Sequence, residues 1–184
     1  MRTLAITQNI TIDGAIEMLD DWFDPQGQAG ADDSDLLDEL HRQDSQSDGL
    51  LLGRRTFEDL RGYWPHQSDD ATGISESLNR QRKYVVSGTM TDPAWQNSTI
   101  LAGGVADVRA LKEQPGKDII VTGSITLCHA LIENGLVDEY RLFVYPVVQG
   151  RGRRLFPDGY RCPRLRLVES NAFRSGITYS RYAL

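Results

Sequence analysis

The sequence predicts an α/β protein with a mainly parallel central sheet and antiparallel strands added at its C-terminal end. Three observations carry that prediction. Short apolar runs at 49–53, 84–87 and 118–122 lack alternation, as in strands buried on both faces. Segments of helical period separate these runs, as in repeated strand–helix–strand units. Beyond Asp138 the helical period disappears, and strand-like segments follow one another at 140–148, 164–170 and 176–183.

Each element has its own signal. Residues 2–12 (RTLAITQNITI) combine β-branched residues with partial alternation and run into the turn pair Asp13-Gly14. Residues 15–31 mix acids, glycine and Pro25 with the apolar pair Trp22-Phe23. They hold no period and read as a long loop of the kind that covers binding sites. A helix is expected from Ser34, capped by Asp33 or Ser34, with Leu36, Leu37 and Leu40 on one side. After the strand GLLLG, Thr56 opens a second helix, because TFED has the hydroxyl-x-x-acid form of a capping box. Residues 75–82 suit a short helix and 98–101 a further strand, while Val105, Val108 and Leu111 mark the next helix. Residues 118–122 (DIIVT) lead into a helix with Ser124 as N-cap, Leu127/Leu131 and Cys128/Ile132 as i, i+4 pairs, and Gly135 as its stop.

Composition narrows the function classes. The chain has 184 residues, 40% of them apolar and 25% charged, which fits one globular domain over 1–184 and neither disorder nor a disulfide scaffold. No apolar run approaches the roughly 18 residues of a membrane span, and the first residues lack a signal-peptide pattern, so a cytoplasmic protein is expected. A net charge of −6 argues against a nucleic-acid partner. That charge is polarised. Residues 141–184 hold nine arginines against Asp158 and Glu169, a balance of +7, which leaves −13 on the first 140 residues. Cys128 and Cys162 form no CxxC pair, and His41, His66 and His129 lack paired spacing, so no metal site is expected.

Open α/β sheets bind ligands at the carboxyl ends of their strands, where helix N-termini expose unpaired N–H groups. Three junctions suit that role: Gly53-Arg54-Arg55-Thr56, Ser87-Gly88-Thr89, and Thr122-Gly123-Ser124-Ile125-Thr126. Glycine admits close approach, guanidinium forks carry permanent charge, and hydroxyls sit at helix starts. Each junction alone also suits a plain turn and cap. Together they point to a ligand with several phosphates, although neither GxGxxG nor GxxxxGK[ST] is present.

The segments LLGRRTFEDL, KYVVSGT, DIIVTGSITLCHALIENGLVDEYRL and YPVVQGRGRRLFPDG occur in this order, with NITIDGAIE and DDWF before them. With these the chain resembles the dihydrofolate reductase-like superfamily over nearly its whole length. The most similar branch is the reductase domain of the bifunctional riboflavin-biosynthesis deaminase/reductase. The resemblance implies a three-layer α/β fold and a homodimeric, NADPH-dependent reductase. Its substrate would be a small heterocyclic or carbonyl compound, pterin- or pyrimidine-like, as for a 5-amino-6-ribosylamino-uracil reductase. By the same resemblance Gly53, Arg54 and Thr56 face the cofactor phosphates, with Arg55 as a second clamp. Ser87 lies near the adenosine 2′-phosphate, and Gly88 stands where many relatives carry arginine. Thr122, Gly123, Ser124, Ile125 and Thr126 hold the pyrophosphate, Ile16 lies beside the nicotinamide, and Trp22 sits in the loop over the substrate pocket. Asp35 and Asp38 are the acids nearest the position of the proton donor in folate reductases, and equally suit the N-terminal dipole of their helix. The Gln149–Arg154 loop suits either a substrate phosphate or a solvated or intersubunit contact. A non-catalytic nucleotide-binding protein of the same fold is the other function class these residues allow.

Overall fold

The computed structural model describes residues 1–24, 32–162 and 164–184. The part of the expected 15–31 loop that spans 25–31 lies outside the described residues. Eight strands form one sheet: β1 (Leu4–Thr11), β2 (Ser47–Gly53), β3 (Arg82–Val86), β4 (Ser98–Leu101), β5 (Asp118–Gly123), β6 (Glu139–Tyr145), β7 (Arg166–Ala172) and β8 (Thr178–Ala183). Their spatial order is β4-β3-β2-β5-β1-β6-β8-β7. The six strands from β4 to β6 pair in parallel, and β8 runs antiparallel to both β6 and β7. Such a sheet puts the carboxyl ends of β1 to β6 along one edge, the edge that helices enter.

Five helices connect and cover the strands: α1 (Ser34–Gln46), α2 (Arg54–Tyr63), α3 (Ile74–Arg80), α4 (Val105–Glu113) and α5 (Ile125–Glu133). The alternation of each strand divides the core between two faces. Leu4, Ile6, Leu51, Ile119 and Val121 pack with Val108 and Leu111 of α4 and with Leu127, Cys128, Leu131 and Ile132 of α5. On the opposite face, Leu50, Leu52 and Val85 meet Phe57 of α2, while Phe143 and Tyr179 meet Leu36 of α1. The result is three layers, helix–sheet–helix, as the resemblance implies. Fully burying one such side chain contributes roughly 1.5–3 kcal/mol, so both faces of the sheet are committed to the fold.

Two sequence expectations are corrected. The second helix begins at Arg54, with Gly53 in the cap position and no side-chain cap, so Thr56 lies in the first turn and TFED is not a capping box. The chain passes from strand to helix without an intervening loop, which leaves no place for a hydroxyl cap. The sixth strand ends at Tyr145 rather than 148, because Pro146 has no N–H to continue the ladder.

The charge polarity along the chain is met inside it. Arg151 pairs with Asp20, Arg153 with Glu17, Arg174 with Asp32, and buried Arg141 with Asp118 and Glu139. The C-terminal arginines thus clamp the acidic N-terminal third of the same chain. Among the described residues no helix is long and apolar enough to cross a membrane.

Candidate active site

The site is built where β2 enters α2 and β5 enters α5, on neighbouring strands. Gly53 sits so close to Ser124 that a Cβ there would collide with the Ser124 hydroxyl and lie 3.0 Å from its Cβ. Gly123, at φ 146°, faces Thr56, whose Oγ1 would be 2.7 Å from an added Cβ. The two junctions therefore interlock through glycines, and the Gly123–Ser124 peptide between them is cis. Ser124 caps α5 through its backbone alone. Its carbonyl accepts the first helical bond from the Cys128 N–H at 2.9 Å, so the preceding amides at the helix start have no helical partner.

These junctions line a cavity of about 860 Å³. Its walls include Ile16, Arg55, Thr56, Thr122, Gly123, Ser124, Ile125 and Thr126, all of them expected in the sequence. Arg55 makes no ion pair with any described residue, whereas Arg54 turns outward to Glu58, one helical turn on, at 3.1 Å. The two arginines thus face different ways, Arg55 along the cavity and Arg54 outside it. Helical rotation aims successive side chains about 100° apart, and it is Arg55 that points into the cavity. Gly53 supports the floor without lining it.

A second cavity of about 670 Å³ adjoins the first and shares Asn9, Phe23 and Ile74 with it. Leu36, Leu37 and Leu40 of α1 form one wall, and Phe143, Tyr145 and Ile177 form another. Asp33 also lines it, and its negative charge adds to burial in pushing the Tyr145 hydroxyl up to about 12. Tyr145 therefore stays protonated across the physiological range.

A latch holds the covering segment. The Asp13 carboxylate accepts bonds from the Thr11 hydroxyl at 2.6 Å and the Gly150 N–H at 2.8 Å, which hold it down at about 2. Glu17 receives Arg153 through Nε at 2.9 Å and Nη2 at 2.7 Å. The Gln149 amide accepts from the Trp22 indole at 2.7 Å and donates to the Glu17 carbonyl at 3.0 Å. The Ile16 N–H bonds the Arg153 carbonyl at 3.0 Å, which fixes this buried side chain in the cavity wall. The Gln149–Arg154 loop is thus an intrachain anchor for residues 13–22.

Three expected site residues lie elsewhere. Trp22 is buried against Tyr145, with ring centroids 5.2 Å apart, and its neighbour Phe23 reaches both cavities instead. Ser87, at the end of β3, spends its Oγ on the Thr89 and Met90 N–H groups. Asp35 is the third. It lines neither cavity but an outer cleft with Asp38, Arg42 and Phe173, and it accepts the Arg174 N–H at 3.1 Å. The leucine side of α1 faces the cavity, so Asp35 is rotated away from it. Asn9 and Tyr145 lie inside quoted motifs without being singled out, Asp33 is read only as a helix cap, and Gln149 only as part of its loop. The alternation of β1 and β6 could have nominated Asn9 and Tyr145, as polar groups at strand ends.

The family model described as RibD C-terminal domain matches residues 2–179. The chain belongs to the RibD C-terminal domain family. Among relatives in this family-sized comparison, it is 33% identical over 183 residues to the uncharacterized protein YyaP of Bacillus subtilis (strain 168), covering 96% of this chain and 92% of that protein. It is 26% identical over 169 residues to the uncharacterized protein YwjB of the same organism, covering 90% and 84%. In fold, this RibD C-terminal domain is similar to a putative riboflavin biosynthesis protein from Shewanella sp. PV-4, with a TM-score of 0.74, 17% identity and 98% of each chain covered. A pyrimidine reductase-like protein from Corynebacterium diphtheriae gives a TM-score of 0.65 at 17% identity, over 98% of this chain and 91% of that one. At these identities the two solved structures speak for the fold alone.

Proposed function

We propose that this protein is an NADPH-dependent reductase acting on a small heterocyclic or carbonyl substrate of the pyrimidine-reductase type. The observation that carries the reading is the interlocked glycine cradle beside an unpaired arginine. Side-chain-free backbone at Gly123, packed close to Thr56, the open N-terminus of α5 and the Arg55 guanidinium converge on one cavity, the chemistry a dinucleotide pyrophosphate requires, with Gly53 admitting Ser124 from behind. Membership of the RibD C-terminal domain family supports it.

When bound, the cofactor supplies a hydride, two electrons delivered to an electrophilic carbon, and a proton completes the reduction. The chain's own residues hold and shield. Ile16 presents an apolar surface to the first cavity, and the Asp13, Glu17 and Gln149 contacts keep it there. The second cavity is the substrate side, with Asn9 and Tyr145 as its hydrogen-bonding groups. Asp35, engaged by Arg174 outside both cavities, supplies no proton in this reading. Arg54 and Ser87 serve the 2′-phosphate once Arg54 exchanges Glu58 for it. The same reading has a homodimer working in the cytoplasm.

The test is a titration of NADPH and NADH followed by a substrate screen at constant NADPH, read as loss of reduced-nicotinamide absorbance. Saturable NADPH binding that shifts the amide signals of residues 122–126 is expected, with turnover for at least one heterocycle. Absence of NADPH binding would remove the reading. Binding without turnover across the screen would favour the non-catalytic nucleotide-binding alternative.

A further inference from the structure

The second cavity has a charge character that its family name does not suggest. Its walls are apolar and aromatic: Leu36, Leu37, Leu40, Phe143, Tyr145 and Ile177. Its charged lining residues are two carboxylates, Asp24 and Asp33, and among the described residues no Lys, Arg or His lines it. The cations near its rim are already committed. Arg174 is held by Asp32 at 2.8 Å, with Asp35 4.0 Å away, and His41 is bonded to the Thr72 carbonyl at 3.1 Å. In the neighbouring cavity Arg153 is taken by Glu17, and Arg55, which lines that cavity and not this one, is the group assigned above to the cofactor pyrophosphate.

An anionic group entering this pocket would lose its water, meet no free cation and approach two carboxylates. In a partly desolvated site such repulsion outweighs what apolar contact returns. A solved structure of similar fold, at 16% identity, is titled a 5-amino-6-(5-phosphoribosylamino)uracil reductase from Thermotoga maritima, so that protein's named substrate carries a phosphate; this chain covers 56% of that one, with a TM-score of 0.64. We infer that this chain instead selects an unphosphorylated, aromatic-faced substrate that is neutral or cationic, with N–H groups directed to Asp33 and Asn9. The inference rests on the proposed reductase reading in taking this cavity as the substrate side.

Three near-isosteres that differ in charge and in N–H donors test it: benzamidine, benzamide and benzoate, each titrated into the cofactor-free protein and followed by NMR at Asn9, Leu36, Phe143 and Ile177. Benzamidine and benzamide should shift these signals, with benzamidine at least tenfold tighter than benzoate. Asp33→Asn should reduce that ratio severalfold and weaken benzamidine more than benzamide, a contrast that a general loss of structure would not produce. Benzoate binding as tightly as benzamidine, or none of the three shifting the cavity signals, would overturn the inference. A parallel NADPH titration read at residues 122–126 reports on the reductase reading separately, so the two failures are distinguishable.

Discussion

The interlocked glycines make a quantitative prediction through Gly53→Ala. Gly53 has φ −77° and ψ 157°, a conformation alanine adopts freely, so the substitution carries no backbone strain. The added methyl would overlap the Ser124 Oγ and lie 3.0 Å from the Ser124 Cβ and 3.1 Å from its backbone N, against an optimum of about 3.5–4.0 Å. Relief requires the start of α5 to move away from the start of α2. Overpacking of this kind costs about 1–3 kcal/mol. Loss of glycine entropy in the unfolded chain returns about 0.4–1 kcal/mol, which leaves a net destabilisation of about 1–2 kcal/mol. Under the proposed function the displaced atoms are those that meet the cofactor, so NADPH affinity should fall by about tenfold, roughly 1.4 kcal/mol. The assay is a double-mutant cycle with Ser124→Gly, using urea unfolding for stability and fluorescence for NADPH. Ser124→Gly removes the colliding hydroxyl and Cβ, so the double mutant should recover about 1 kcal/mol relative to additivity. If Gly53→Ala unfolds at the wild-type urea midpoint and binds NADPH normally, the close approach does not exist as described.

Other predictions follow from the same geometry. Arg55→Ala should weaken NADPH about ten- to a hundredfold, the loss of one charge-assisted bond of roughly 1.5–3 kcal/mol; Arg54→Ala should spare NADH affinity and lower that for NADPH, and equal titrations of both variants would refute the division of roles. Asp35→Asn should leave turnover within about twofold of wild type once a substrate is found, since the side chain lies outside both cavities; loss of turnover with an unchanged fold would return it to the chemistry. Lys83 is wholly buried against Trp95, and burial pulls its ammonium down to about 8 from 10.5. The unfolded chain therefore binds more protons between pH 8 and 10.5, so this group's contribution to stability rises with pH through that window, by roughly 3 kcal/mol in all. Unfolding free energies of wild type and Lys83→Met, compared at pH 7.5 and 9.5, should diverge in the direction of a relatively more stable wild type at the higher pH.

How much was legible beforehand depends on the range of the interaction. Strand and helix order follows from local pattern, because burial on one or two faces imposes a period that the chain itself displays. That is why GLLLG, DIIVT and the leucine pairs place β2, β5 and α5, and why the strand-end junctions stand out as glycine- and hydroxyl-rich. Thr56 was misplaced because a hydroxyl followed by an acid resembles a cap unless the preceding strand is known to run straight into the helix. The side on which Asp35 falls is likewise not legible from its spacing. One residue shifts a helical side chain by about 100°, and only the docking of α1 decides which side faces the cavity.

By itself, then, the sequence determined the layered α/β class, the parallel sheet with its antiparallel end, and the glycine, hydroxyl and arginine content of the strand ends. It also determined a charge imbalance between the two ends of the chain. Tertiary structure alone decided what that imbalance is for. Arg151, Arg153 and Arg174 close on Asp20, Glu17 and Asp32, residues more than a hundred positions away. It alone chose Arg55 over Arg54, drew Gly53 against Ser124, and gathered Asn9, Asp33 and Tyr145 around one pocket. These are meetings between distant segments, and their geometry is set by how the sheet stacks its strands rather than by any local run of residues.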